Sequence, residues 1–110
     1  MNAVRVALCI SLLLPGLAQA DPTTAVRDLR PGLVATVAGR VERITEEDEF
    51  RLADETGSIL VYIGPNRLPV RTGDRVRVSG QVDDDDRPLE FYATEILFED
   101  GRSVPLPNPD

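Results

Sequence analysis

The side chains with the clearest chemical character are carboxylates gathered in two runs, Glu46-Glu47-Asp48-Glu49 and Asp83-Asp84-Asp85-Asp86. Carboxylates can act as a general acid and base pair, as oxygen ligands for a hard cation, or as a field that attracts positive charge. The first role needs a carboxyl whose proton affinity is raised by removal from water, and contiguous charged residues stay in water. The second is open to Asp83, Asp84 and Asp86, although four adjacent aspartates lack the alternate ligand spacing and the glycine of an EF-hand loop. The third needs only that the two runs stand near one surface. Other catalytic groups are scarce. The chain has no histidine, every basic residue is arginine, and its single cysteine is Cys9 in the apolar N-terminal stretch. The usual general base, Schiff-base amine and thiol nucleophile are thereby removed, and Ser58, Ser79 and Ser103 have no activating partner in the sequence. The expectation is a binding protein with no enzymatic activity and no cofactor.

The first twenty residues read as a secretory signal peptide. Arg5 supplies a positive start, Val6 to Leu17 is almost wholly apolar, and Ala18-Gln19-Ala20 is a small-residue cleavage signature. The apolar run is about twelve residues and holds Pro15-Gly16, too short for a span, which takes roughly twenty. Export to the periplasm, loss of Cys9 on processing and no membrane span afterwards are therefore expected. The 110-residue chain carries 12 basic and 19 acidic residues for a formal charge of −7, which becomes −8 once Arg5 is removed. Such a charge repels phosphate backbones and attracts cations. A single domain of about 90 residues without disulfides buries roughly 60 to 65 per cent of its unfolded-chain surface, so regular packing must supply what cross-links supply elsewhere.

Residues 21 to 32 form a polar leader and a short helix, with Ala25, Val26 and Leu29 spaced for one or two turns before Pro31-Gly32. A first strand follows, about Leu33 to Thr45, with Ala35, Val37, Gly39 and Val41 on one face and Thr36, Arg40 and Glu42 on the other. A glycine in mid-strand marks a bend or a close backbone approach. The first acidic run makes a corner before a second strand, Phe50 to Ala53, in which Phe50 and Leu52 point inward and Arg51 outward. Asp54 to Gly57 is a tight hairpin connection. The third strand, Ser58 to Ile63, buries Ile59, Val61 and Ile63 and leaves Leu60 and Tyr62 outside. Gly64 to Gly73 is a Pro-rich connector with room for a helical turn. The fourth strand, Asp74 to Val82, alternates Val76, Val78, Gly80 and Val82 against Arg75, Arg77, Ser79 and Gln81. The second acidic run is a loop. The fifth strand, Leu89 to Phe98, shifts its apolar phase at Ile96, which suggests a bulge. Residues 101 to 110 hold three prolines and read as a frayed, flexible tail.

Five strands, a connector between the third and fourth, and a first strand long enough to bend and serve both sheets predict an all-β, five-stranded OB-fold Greek-key barrel over residues 33 to 100. Three segments carry a family likeness. They are Val37-x-Gly39-x-Val41 with Ile44, Phe50-x-Leu52-x-Asp54-x-x-Gly57 with Ile59 and Val61, and Gly73-Asp74-x-Val76-x-Val78-x-Gly80-x-Val82-Asp83. In these the chain resembles the bacterial OB-fold proteins of the YgiW/YdeI type, small periplasmic domains associated with stress tolerance. The resemblance implies a periplasmic binding or stress-tolerance role without an established reaction. That family has a longer connector after the third strand, often with a tryptophan and basic residues, where this chain has only Gly64 to Gly73.

In an OB barrel the loops after the first and fourth strands flank the ligand-binding face. Here those loops are the two acidic runs, so the expected site comprises Glu46, Glu47, Asp48, Glu49, Arg51, Leu60, Tyr62, Asp83, Asp84, Asp85 and Asp86. Nucleic-acid-binding members need positive charge and several stacking aromatics there. This chain offers carboxylates instead, with Tyr62 and Tyr92 the outward aromatic candidates. The expected partner is a metal ion, a cationic small molecule such as a polyamine, or a cationic peptide. Three alternatives stay open: the runs serve only solubility, Leu60 and Tyr62 dock an envelope protein, or, least favoured by the charge, the barrel binds single-stranded nucleic acid through Arg75 and Arg77. A rival basic stripe from Arg40, Arg43, Arg51, Arg75 and Arg77 is expected to be cancelled by pairing with Glu42, Glu90 and Glu95.

Overall fold

The computed structural model describes residues 22–85 and 88–107. The expected signal peptide, Asp86 and the last three residues lie outside the described set. Among the described residues six strands are present: β1 (Val34–Glu46), β2 (Glu49–Asp54), β3 (Gly57–Tyr62), β4 (Arg75–Val82), β5 (Glu90–Phe98) and β6 (Ser103–Pro105). They form one sheet in the order β3-β2-β1-β4-β5-β6, and a parallel β3–β5 pairing closes the first five strands into a barrel. This is the OB-fold plan with one strand added.

β1 makes the closure possible. Its first half pairs with β4, from Val34 opposite Gln81 to Arg40 opposite Arg75, and its second half pairs with β2, from Arg40 opposite Ala53 to Glu46 opposite Glu49. The strand therefore changes partners around Gly39-Arg40. A Cβ built on Gly39 would collide with the Ala53 carbonyl oxygen, and one on Gly80 would collide with the Tyr92 carbonyl oxygen. Both glycines stand where coiling brings a neighbouring backbone against the strand, so only hydrogen fits.

The period-two pattern sends its apolar members inward as expected. Phe50, Leu52, Ile63, Phe91 and Ile96 are fully buried together with valines from β1, β3 and β4, and among the described residues no buried one is polar or charged. The phase shift in β5 is a bulge. Ser79 faces Glu95 while Gly80 faces Ala93, so Thr94 is the extra residue, and Ile96 returns to the interior. The Thr94 hydroxyl donates to the Ser79 carbonyl at 3.2 Å.

The structure sharpens three expectations. The N-terminal helix is a single 3-10 turn, Val26–Asp28, which places Leu29 in the core. Propagation needs more residues than Pro31-Gly32 allows. The connector holds no helical turn: Pro65 and Pro69 each lack a donor, and the chain instead folds Leu68 and Val70 onto the core. The segment read as a frayed tail holds a short strand among its described residues. Ser103–Pro105 pairs with β5 beyond the point where β3 has left it, and Leu106 is buried.

The Asp54 carboxylate joins the leader to the barrel. It accepts from the Thr56 amide at 2.7 Å, the Thr56 hydroxyl at 2.6 Å, the Gly57 amide at 3.1 Å and the Val26 amide at 2.9 Å. Burial opposes its ionisation, but the hydrogen bonds from Thr56, Val26 and Gly57 outweigh burial and hold the carboxyl below its ordinary value.

Candidate functional site

Strand register assembles the expected face from parts distant in sequence. Across the outer surface, Glu49 of β2 stands opposite Tyr62 of β3, which stands opposite Tyr92 of β5. The next row is Arg51, Leu60 and Glu90. Each of these alternates with a core residue, Phe50, Val61 or Phe91, so the pleat that buries the core turns this set outward. The structure thus brings Glu49, Arg51, Leu60 and Tyr62 together and adds Tyr92 and Glu90.

The two tyrosines are the centre of this face. Their rings meet edge to face with centroids 5.6 Å apart and planes inclined by 64°. Tyr62 is 37% exposed and Tyr92 41% exposed, so the pair is held by packing yet open to solvent. Partial burial, and then the charges of Asp83, Glu90 and Asp85, push the Tyr92 phenol above its ordinary value, with Tyr62 adding to the effect. The face is therefore electronegative where its aromatic surface is exposed.

The two acidic runs border this face from its two ends. Glu47 and Asp48 form the two-residue turn between Glu46 and Glu49, and the Ile63 amide donates to the Asp48 carbonyl, so this turn lies beyond the Tyr62 end of β3. The second run leads into β5 through the Asp83 amide bond to the Glu90 carbonyl, at the Leu60 end. Glu46, Glu47, Asp84 and Asp85 are exposed, whereas Asp48, Glu49 and Asp83 are half-buried. Among the described residues no group of three or more acidic, histidine or cysteine side chains is placed to hold a metal ion. Asp83 and Asp84 thus form no such group there, and Asp86 lies outside the described residues. The two runs frame the face and do not merge into one cluster.

Arg51 is half-buried within the face. Its Nη1 donates to the Ser58 hydroxyl at 3.1 Å, and its Nε is buried without a partner. The pairing of arginines with glutamates expected from the sequence is not formed by Arg40, Arg43, Arg51 or Arg75 among the described residues; the ion pair there joins Arg102 and Asp100 at 3.8 Å, on the surface. Register explains this, because Arg40 faces Arg75 and Arg43 faces Arg51. Tyr92 had a sequence signal in its outward position between Phe91 and Ala93. Its place beside Tyr62 had none, since the parallel β3–β5 pairing creates it. No helix among the described residues is long and apolar enough to cross a membrane.

No protein-family profile and no curated protein sequence matches this chain. A solved structure does: that of the hypothetical protein YgiW from E. coli, at 27% identity, covering 76% of this chain and 91% of that one, with a TM-score of 0.60.

Proposed function

This chain is of the YgiW type, and from that premise we propose that it is a non-enzymatic periplasmic module that binds an organic cation, a polyamine or a cationic peptide, in envelope stress tolerance. The observation that carries this reading is the exposed Tyr62–Tyr92 pair lying in the field of Asp83, Asp85 and Glu90. An ammonium or guanidinium group over an aromatic face is attracted by the ring quadrupole, and nearby carboxylates add to that attraction. The distribution of carboxylates along two ends of the face suits an extended ligand with several positive charges better than a bare metal ion. Export is supported by the apolar run Val6 to Leu17 and the Ala18-Gln19-Ala20 signature.

The protein provides its own reporter. It has no tryptophan and two tyrosines, both on this face, so intrinsic tyrosine fluorescence reads the proposed site alone. Titration with spermidine, with an arginine-rich peptide and with calcium at low ionic strength is expected to change that fluorescence most for the first two. Asp83→Asn with Asp85→Asn should weaken binding several-fold, and Tyr62→Ser should weaken it further. A flat response to all three probes would sink the reading. A response to the peptide that needs Tyr62 but ignores the loop carboxylates would turn it toward docking of an envelope protein.

A further inference from the structure

A concavity lies elsewhere on the barrel and shares no residue with the tyrosine face. It is an open groove of about 930 Å3 across β1, β4 and the end of β5, lined by Arg40, Arg75 and Arg77 around Ala38, Gly39 and Leu97. Its volume falls in the range of about 300 to 1,000 Å3 typical of small-molecule sites. Arg40 and Arg75 are direct cross-strand partners, which sets their Cβ atoms about 4.5 to 5.5 Å apart. Two like charges in that position repel, and the arrangement costs stability unless something negative lies between them.

Among the described residues no carboxylate is paired with either of these two arginines. Glu42, Glu55 and Glu99 line the same groove, yet neither Arg40 nor Arg75 forms an ion pair or hydrogen bond within the described residues. Asp54, also in the lining, is committed to its four donors at the hairpin. Ala38 faces Arg77 across the ladder, and Leu97 faces Arg77 from the other side, so an apolar floor lies beside the cations.

We infer that this groove is a second binding site, for a small molecule carrying a carboxylate or phosphate group. Two arginines at directly opposed strand positions in one groove offer planar, multiple donors matched to an oxyanion, and an anion between them relieves their repulsion. The apolar floor takes the body of the ligand. The rim glutamates and the overall charge of −7 disfavour a polyanion, so a nucleic-acid strand is a poor fit and a singly or doubly charged small molecule is a good one.

The test is amide NMR on the isotope-labelled protein at low ionic strength, with N-acetylalanine and inorganic phosphate as separate probes. Shifts are expected at residues 38–40, 75–77 and 97–99. A response to acetylalanine alone assigns the site to carboxylates, and a response to phosphate alone assigns it to phosphate compounds. The double variant Arg40→Gln with Arg75→Gln should bind at least roughly tenfold more weakly, because charge-assisted hydrogen bonds are lost. Ala38→Gln, which fills the floor and leaves both charges, should weaken binding as well. Arg43→Gln, an exposed charge outside the groove, should not. The inference is overturned if neither probe moves these amides, if the double variant and Ala38→Gln both bind as the parent does, or if Arg43→Gln weakens binding equally.

Discussion

Asp54 shows how one side chain in this small barrel holds two segments in register. It caps the β2–β3 hairpin through Thr56 and Gly57 and ties down the leader through Val26. Because its folded-state proton affinity lies below the ordinary value of 3.8, it stabilises the fold fully above that pH, and the contribution is lost as the pH falls through the lower folded value. Melting temperature measured against pH should therefore drop at the acid end, and Asp54→Asn should flatten that part of the curve. Asp54→Ala, which leaves several half-buried donors without a charged acceptor, should cost about 2 kcal/mol in a denaturant titration. A variant that melts like the parent across the whole range would remove Asp54 from this role. The sequence marked Asp54 only as part of a turn. Its bond to Val26 spans 28 residues and depends on the leader folding back over the hairpin.

Among the elements, β4 and the core halves of β2 and β3 were legible because strict alternation leaves one face apolar, and a one-residue slip would expose it. The bulge at Thr94 was legible for the same reason: Ile96 can be buried only if one residue is skipped. β6 was not legible. A three-residue strand ending in Pro105 has no alternation to read, and it exists because β5 presents an unpaired edge opposite Leu97, Ile96 and Glu95. Leu106 then closes over the core. Leu106→Ala should accordingly destabilise the fold by about 2 to 4 kcal/mol in urea, the usual loss for a buried leucine. A frayed tail would give a change near zero.

For the whole molecule, the excess of 19 acidic over 12 basic residues acts on stability and on binding in opposite directions. Self-repulsion weakens the folded state at low ionic strength, while the same field draws a cation to the tyrosine face. Raising salt from about 10 mM to about 150 mM shortens the screening length from roughly 30 Å to roughly 8 Å. The free protein should then melt at a higher temperature while its affinity for spermidine falls. A parallel rise in both would show that the affinity is not electrostatic. The tyrosine face and the groove also differ in sign locally. Carboxylates surround Tyr62 and Tyr92, and guanidinium groups line the groove at Arg40 and Arg75.

What the chain by itself determined is its barrel. Alternating apolar residues, a long first strand with Gly39 at its middle, and a phase shift before Ile96 admit few other arrangements, because burial and the pleat are local constraints. It also determined which groups carry charge. Which charges meet was decided only by tertiary structure. The parallel β3–β5 pairing places Tyr92 beside Tyr62, and the β1–β4 ladder sets Arg40 against Arg75, across 30 and 35 residues of chain. Barrel closure fixes such juxtapositions through backbone register, and register between distant strands leaves no mark in the residues taken one after another.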